Sequence, residues 1–460
     1  MGKRSKRTEQ IKIVHPNAAG LDIGSAEIWA CIPPDRDGET VRPFATFTPD
    51  LERLADWLVE NGVDTVAMES TGIYWIGVYE ILERRGLAVY LVNAQHIKHV
   101  PGRKSDVLDC QWIQKLHALG LLSASFRPDS EMRTLRTYLR HRAQLIEHRS
   151  PHVLHMQKAL NQMNLQLPQV ISDITGETGM AIVRAIVAGE RDSVKLAQLR
   201  DRRCKSSAAT IAKALTGDWQ EEHLFVLNQS LELYDFYTAQ IAHCDAQILR
   251  QFSAMKPRWE LDPDLVLDAP STHRQRYKNE PPLETRAELI RIVGVDLAAL
   301  GGIGTSLAQT ILAEIGTDMS RWPTDKHFAS WLGLAPHNDI SGGKVLRSRT
   351  LPTNNRAGQA FRQAATAVSR GPSAFGAFYR RKRAKGGPQY AQVATAHKLA
   401  RTVYHLLKHR QPYIALSAEA YEQSQREREV TALRKRAAKL GFLLTAPTVP
   451  EPVAEASALG

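Results

Sequence analysis

Short apolar runs bounded by turn residues fill the first ninety residues, and longer helical periodicities follow. Residues 19–24, 27–33 and 41–48 read as strands, joined by tight turns at Gly24-Ser25 and Asp35-Arg36-Asp37-Gly38. Thr48-Pro49-Asp50 opens a helix that Asn61-Gly62 closes. Residues 65–69 form the next strand, 74–85 a helix with Gly86 after it, and 87–92 a fifth strand. Ser105 caps a helix from Asp106 to Leu119, with Gly120 as its stop.

The order β-β-β-α-β-α-β-α is that of a ribonuclease-H-like α/β fold, which sets the first and fourth strands side by side and packs the last helix nearby. Beyond it the pattern turns helical. Residues 129–165 are helical and basic, with Pro151 expected to kink or break them. In a second long helix, 228–252, Leu227, Tyr234, Ile241 and Ile248 repeat every seven residues, with Leu231 and Phe252 on the same side. Thr238 and Asp245 interrupt that seam. The seam suits packing within one chain or against a second copy. Residues 256–284 carry five prolines and few apolar residues, as a linker does. A mainly α C-terminal region follows: residues 297–315 read as helix, glycine hairpin (Gly301 to Gly304) and helix. A charged helix spans 419–439, and residues 445–460 read as a disordered tail. The expected domains are 11–124, a helical or coiled-coil arm 125–256, the linker 257–284, a C-terminal domain 285–415, and a helix and tail 416–460.

Charge narrows the partner. The chain of 460 residues carries net charge +12 and has a pI near 9.5, which favours a polyanion. From residue 340 to 418 there are 15 Lys or Arg and no Asp or Glu, more than the whole excess. A solvated face usually mixes both signs, so this segment is expected to meet nucleic acid. Four cysteines, Cys31, Cys110, Cys204 and Cys244, lack metal or disulfide spacing and read as reduced thiols. No run is apolar and long enough for a bilayer, and the basic N-terminus lacks the apolar stretch of a secretory signal, so a cytoplasmic protein without membrane contact is expected.

The candidate chemistry lies in four acids. Asp22 sits inside the first strand, Glu69 ends the fourth, and Asp106 and Asp109 share one face at the start of a helix. Carboxylates brought together either take up protons or hold a divalent cation, and Mg²⁺ (or Mn²⁺) suits a phosphodiester substrate. Ser341-Gly342-Gly343 lies on an exposed loop among Lys344, Arg347 and Arg349, cations that favour an alkoxide and bind phosphate oxygens. Turn chemistry alone also explains a Ser-Gly-Gly. Gly302 and Gly304 would let backbone N–H groups approach a phosphate, and a plain helix turn is the alternative reading.

Several stretches in order resemble one family: Gly20-Leu21-Asp22-Ile23-Gly24, Met68-Glu69-Ser70-Thr71-Gly72-Ile73-Tyr74-Trp75, and Lys104-Ser105-Asp106-Val107-Leu108-Asp109. Ile171 to Gly176, Gly301 to Gly304, Gly333-Leu334-Ala335-Pro336 and Ser341-Gly342-Gly343-Lys344 continue it. Over residues 17–412 the chain resembles insertion-sequence transposases of the one-hundred-and-ten type, the DEDD transposases or bridge-RNA-guided serine recombinases. Ser105 stands where that family has Thr. The resemblance implies a RuvC-like N-terminal domain whose acids match Asp22, Glu69, Asp106 and Asp109. It also implies a C-terminal transposase domain whose nucleophile matches Ser341, and a site shared between subunits of a homo-oligomer. It further implies a phosphoserine link to DNA and a structured noncoding RNA that pairs with target and donor double-stranded DNA.

Other classes fit parts of this pattern. A site-specific DNA invertase would use the same two domains without RNA. A metal-dependent Holliday-junction nuclease would use the acids with water. A binding protein that regulates without cutting would need neither acids nor serine, and both are present.

Overall fold

The computed structural model describes residues 12–70, 72–93, 106–257, 278–350 and 355–445, and the chain divides into two compact units at Arg127/Pro128. The expected caps and motif residues Ser105, Lys104 and Thr71, most of the linker, and nearly all of both tails lie outside the described residues.

The first unit is a five-stranded mixed sheet. β1 (Ala18–Ile23), β2 (Glu27–Cys31) and β3 (Val41–Ala45) form an antiparallel meander. Helix α1 (Thr48–Glu60) leads to β4 (Thr65–Glu69), which pairs parallel with β1; α2 (Trp75–Arg84) leads to β5 (Ala88–Val92), parallel to β4. The strand order is β3-β2-β1-β4-β5, so the first and fourth strands are neighbours as expected. Strand periodicity splits the sheet into two faces. Ala19, Leu21, Val66 and Met68 join Leu54, Leu58, Val78 and Leu82 of α1 and α2 in one core. Ala67, Val92 and Ile113 form a smaller one on the other face, where α3 (Asp106–Ala118) lies.

The second unit begins with two long helices. α4 (Ser130–Gln162) runs unbroken through Pro151, so the helix does not break there. Antiparallel packing along the long helix at Glu221–Ala254 outweighs the one backbone bond the proline removes. Four short helices that the hydrophobic pattern did not reveal close the far end: α5 (Leu167–Val170), α6 (Glu177–Val187), α7 (Ser193–Gln198) and α8 (Ala208–Ala214). They bury Leu160, Met163, Ile182, Ile186, Leu196 and Ile211 with Leu227. α9 (Glu221–Ala254) then returns along α4, burying the heptad residues Leu227, Leu231, Tyr234, Ile241, Ile248 and Phe252. The two polar residues in that seam have partners on α4. Arg142 pairs with Asp245, Nη2 to Oδ2 at 3.1 Å, and Arg149 Nη1 donates to Thr238 Oγ1 at 3.2 Å. The seam is thus used within one chain.

The remaining elements pack on the near end of this pair. They are α10 (Glu284–Val293), α11 (Thr305–Ile315), α12 (Asp325–Trp331), the hairpin β6 (Pro336–Ser341) and β7 (Lys344–Thr350), α13 (Arg356–Val368), α14 (Ala374–His409) and α15 (Ala418–Lys439). Arg136 donates to the carbonyls of Ala313 and Glu314, and Arg140 pairs with Glu314, fixing α11 to α4. α14 is broken at Gly387 (φ +81°), just before Pro388. The expected first helix of the glycine hairpin is only a 3-10 turn at Leu297–Ala299.

Candidate active site

Small residues set the site. Ala18, Ala19 and Gly20 leave β1 with little side-chain bulk, and α3 uses the space. A Cβ on Gly20 would stand 2.3 Å from the Gln114 backbone N and 2.4 Å from the Cys110 carbonyl O. Gln114 Nε2 donates to the Ala18 carbonyl at 3.2 Å, and His117 Nε2 lies 2.9 Å from Thr65 Oγ1. Helix and strands therefore run in opposite directions: His117 lies over Thr65 and Ile113 packs beside Ala67. Two strand residues advance about 6.6 Å and four helical residues about 6 Å, so the register is kept along the contact. Glu69, beyond Ala67, and Asp22, beyond Gly20, therefore lie toward the N-terminal end of α3, where Asp109 and Asp106 are.

The parallel register pairs Leu21 with Met68, so Asp22 and Glu69 follow on adjacent strands and face α3 together. Asp22, Glu69 and Asp109 are half-buried and Asp106 is exposed. Asp22 and Glu69 thus end neighbouring strands, and Asp106 and Asp109 start the helix that covers them. Among the described residues, no three His, Cys, Asp or Glu side chains stand close enough to hold a metal ion. The donors are all hard carboxylate oxygens on neighbouring elements, the kind a partly hydrated divalent cation accepts.

Two thiols lie just behind the acids. Cys31, the cross-strand partner of Gly20, meets Cys110. This contact, with burial and the nearby Asp22 carboxylate, pushes the Cys110 thiol far up and keeps it protonated. His117 is buried, and desolvation, reinforced by His15, pushes it down to about 4.

Ser341 is not on a loose loop but ends a strand. Gly342 (φ +55°) and Gly343 (φ +76°) make the two-residue turn, both left-handed as a tight hairpin requires. Ser341 is in register with Lys344, and Asp339 with Arg347, across a bulge at Asp339/Ile340. Ser341, Lys344, Arg347 and Arg349 are all exposed. Not every cation of the basic segment is available. Arg362 donates to the Gly333 carbonyl, Arg401 pairs with Asp325, Arg410 holds the Val293 and Thr317 carbonyls, and Lys398 lies against Phe375, Phe378 and Tyr421. Arg380 also donates to the Gly371 carbonyl and Arg381 pairs with Glu429, while Arg383 and Lys385 are exposed on α14. Gly302 is explained by packing: a Cβ there would come within 2.5 Å of the Ala364 carbonyl and 2.6 Å of Val368. Gly304, at the N-cap of α11, has open space around it.

Residues 19–165 match a family model described as Transposase, of the DEDD type of IS110. Residues 296–380 match a second, described as Transposase IS116/IS110/IS902 family. The chain belongs to the IS110-type transposases. A curated protein of Streptomyces coelicolor, named as a mini-circle transposase for IS117, is 36% identical over 121 residues, covering 25% of this chain and 28% of that protein. The chain thus matches under a third of that relative's length. For an IS110-type transposase, the mixed sheet under α3 fits the DEDD domain, and the hairpin with Ser341 falls inside the second matched region. Among the described residues no helix is long and apolar enough to cross a membrane. Gly20, which decides how close α3 comes to the strand bearing Asp22, was visible in the sequence only as part of a motif. Its signal was the run of small residues before the acid.

Proposed function

We propose that this protein is a DNA recombinase that moves its own insertion sequence, cutting and rejoining DNA through four carboxylates and one serine hydroxyl, with a structured noncoding RNA as guide. The observation that carries the reading is that Asp22 and Glu69 end neighbouring parallel strands under the helix that begins with Asp106 and Asp109, in a chain of the IS110 family. Double-stranded target and donor DNA are the substrates, and the working form is a homo-oligomer.

Asp22 and Glu69 from the strands and Asp106 and Asp109 from the helix would hold Mg²⁺ or Mn²⁺ once drawn together around it. When bound, that ion neutralises phosphate charge and makes a nearby hydroxyl easier to deprotonate. The Ser341 oxygen attacks the scissile phosphorus. A serine O–P bond forms as the P–O bond to the departing strand breaks; the hydroxyl proton passes to solvent and the departing deoxyribose oxygen takes one up. The phosphoserine conserves the bond energy, so attack by another strand's hydroxyl reseals DNA without ATP. Lys344, in register with Ser341, and Arg347 and Arg349 further along β7 place positive charge where phosphate oxygens gain it. The open backbone at Gly304 suits a phosphate of the flanking duplex.

The test uses the full-length protein and a supercoiled plasmid carrying the element's ends. Asp22→Ala and Asp106→Ala should abolish cleavage and keep DNA binding; full activity in both removes the metal site. Ser341→Ala should eliminate the covalent protein–DNA adduct on a denaturing gel, and an adduct that persists moves the nucleophile elsewhere. Cleavage by Ser341→Ala with no adduct in the wild type would indicate a nuclease that uses water. Sequencing of co-purified nucleic acid should return one discrete structured RNA; recombination without any RNA leaves an RNA-independent invertase.

A further inference from the structure

The turn that follows Glu69 exposes large apolar side chains on a rigid base. Ile73 is 73% exposed, Tyr74 51% and Ile76 39%, while Val78, Ile81 and Leu82 of the same helix are buried. No charged residue occurs between Ser70 and Tyr79. Such exposure beside a polar site costs solvation and marks a contact surface.

The base holds the exposed tip still. Gly72 (φ +57°) turns the chain, and the Tyr74 ring lies against it, 3.4 Å from where a Cβ would be. Trp75 Nε1 donates to the Gly72 carbonyl at 3.1 Å. Arg127 stacks its guanidinium over Tyr79 at 3.9 Å and Trp75 at 5.2 Å, and donates to Glu80 at 3.1 Å. A side chain ordered in advance loses little entropy when it binds.

We propose that Ile73 and Tyr74 form a stacking platform for an unpaired nucleobase close to the scissile phosphate. Tyr74 follows Glu69 by five residues, which even fully extended reach only about 17 Å. A phosphate held at Glu69 therefore brings bases within about five nucleotides onto this turn. The uncharged, apolar tip cannot bind the phosphates themselves. It fits the apolar face of a base, and a wedge of this kind holds a base step open for strand exchange. This inference rests on the reading of the acids as a DNA site.

The experiment uses full-length protein in EDTA, so that cleavage plays no part. The probes are a short DNA duplex with one unpaired fluorescent aminopurine at its centre and the same duplex fully paired. The wild type should bind the unpaired probe more tightly and quench its fluorescence. Ile73→Ala/Tyr74→Ala should lose about 10-fold in affinity for the unpaired probe only, together with the quenching. Tyr74→Phe, which keeps the ring, should retain both, and Gly38→Ala, at a position with nothing within 4 Å, should leave both unchanged. Quenching and preference that survive in the double variant overturn the platform, as does an equal loss on both probes. A change of oligomeric state with the preference intact assigns the surface to a protein contact instead. Wild-type binding without preference sinks only the platform, whereas no DNA binding at all sinks the proposed function too.

Discussion

Replacing Gly20 by Ala adds one methyl group between β1 and α3. That carbon would stand 2.3 Å from the Gln114 N, 2.4 Å from the Cys110 O and 2.8 Å from the Gln114 Cα, whereas ordinary contacts begin at 3.4 Å. All three atoms are backbone, so no side chain can swing away and the helix must lift by roughly 1 Å. Overpacking of this kind costs about 1–3 kcal/mol. For a unit of this size that lowers Tm by roughly 5–15 °C. The same lift carries Asp106 and Asp109 away from Asp22 and Glu69, and a 1 Å misplacement of reacting groups can cost about 100-fold in rate. Gly38→Ala is the control, because nothing lies within 4 Å of that position. Thermal unfolding and single-turnover plasmid cleavage give the two readings. A Gly20→Ala protein with the control's Tm and full cleavage would refute the close approach of α3, and with it the covering of Asp22 and Glu69 by that helix.

Three further outcomes are expected. His117 stays neutral in the fold down to about 4, whereas the unfolded imidazole protonates near its ordinary 6.5, so the unfolded state binds the extra proton in that window. Its contribution is complete above about pH 6.5 and falls by up to about 3 kcal/mol as pH drops to about 4. His15 disfavours the charged form and Asp64 favours it. Urea midpoints across this range should lose that slope in His117→Gln, and an unchanged slope assigns it elsewhere. Arg142→Met leaves the half-buried Asp245 without its partner and should cost about 1.5–3 kcal/mol, whereas Arg142→Met/Asp245→Leu should recover most of it; chemical denaturation of both decides. Gly302→Ala drives a methyl into the Ala364 carbonyl and needs a left-handed backbone (φ +84°), so its Tm should fall at unchanged DNA affinity; a loss of affinity at unchanged Tm would assign this glycine to phosphate binding.

Much of the first unit was legible because its signals are local. Strands of five or six residues alternate between two cores, each ends at a glycine or polar turn, and the acids sit at strand ends and a helix start. The helices at 167–214 were harder, since each is short and becomes amphipathic only against its neighbours: Ile211 and Leu196 are buried by one another's surroundings, not by a long stripe of their own. Pro151 read as a break because local propensity was weighed without α9 beside it. Thr238 and Asp245 read as flaws in the heptad, since their arginine partners lie 89 and 103 residues away.

The sequence by itself determined the element order of the sheet domain, and it put forward the four acids and the serine with its two glycines and basic neighbours as candidates. Each of these is carried by residue type and spacing along the chain. Tertiary structure decided the register of β1 against β4, the approach of α3 over Gly20, the hairpin that holds Ser341, and which cations are committed inside the fold. These depend on contacts between residues far apart in the chain, where backbone sterics and buried hydrogen bonds, and not local preference, select the arrangement.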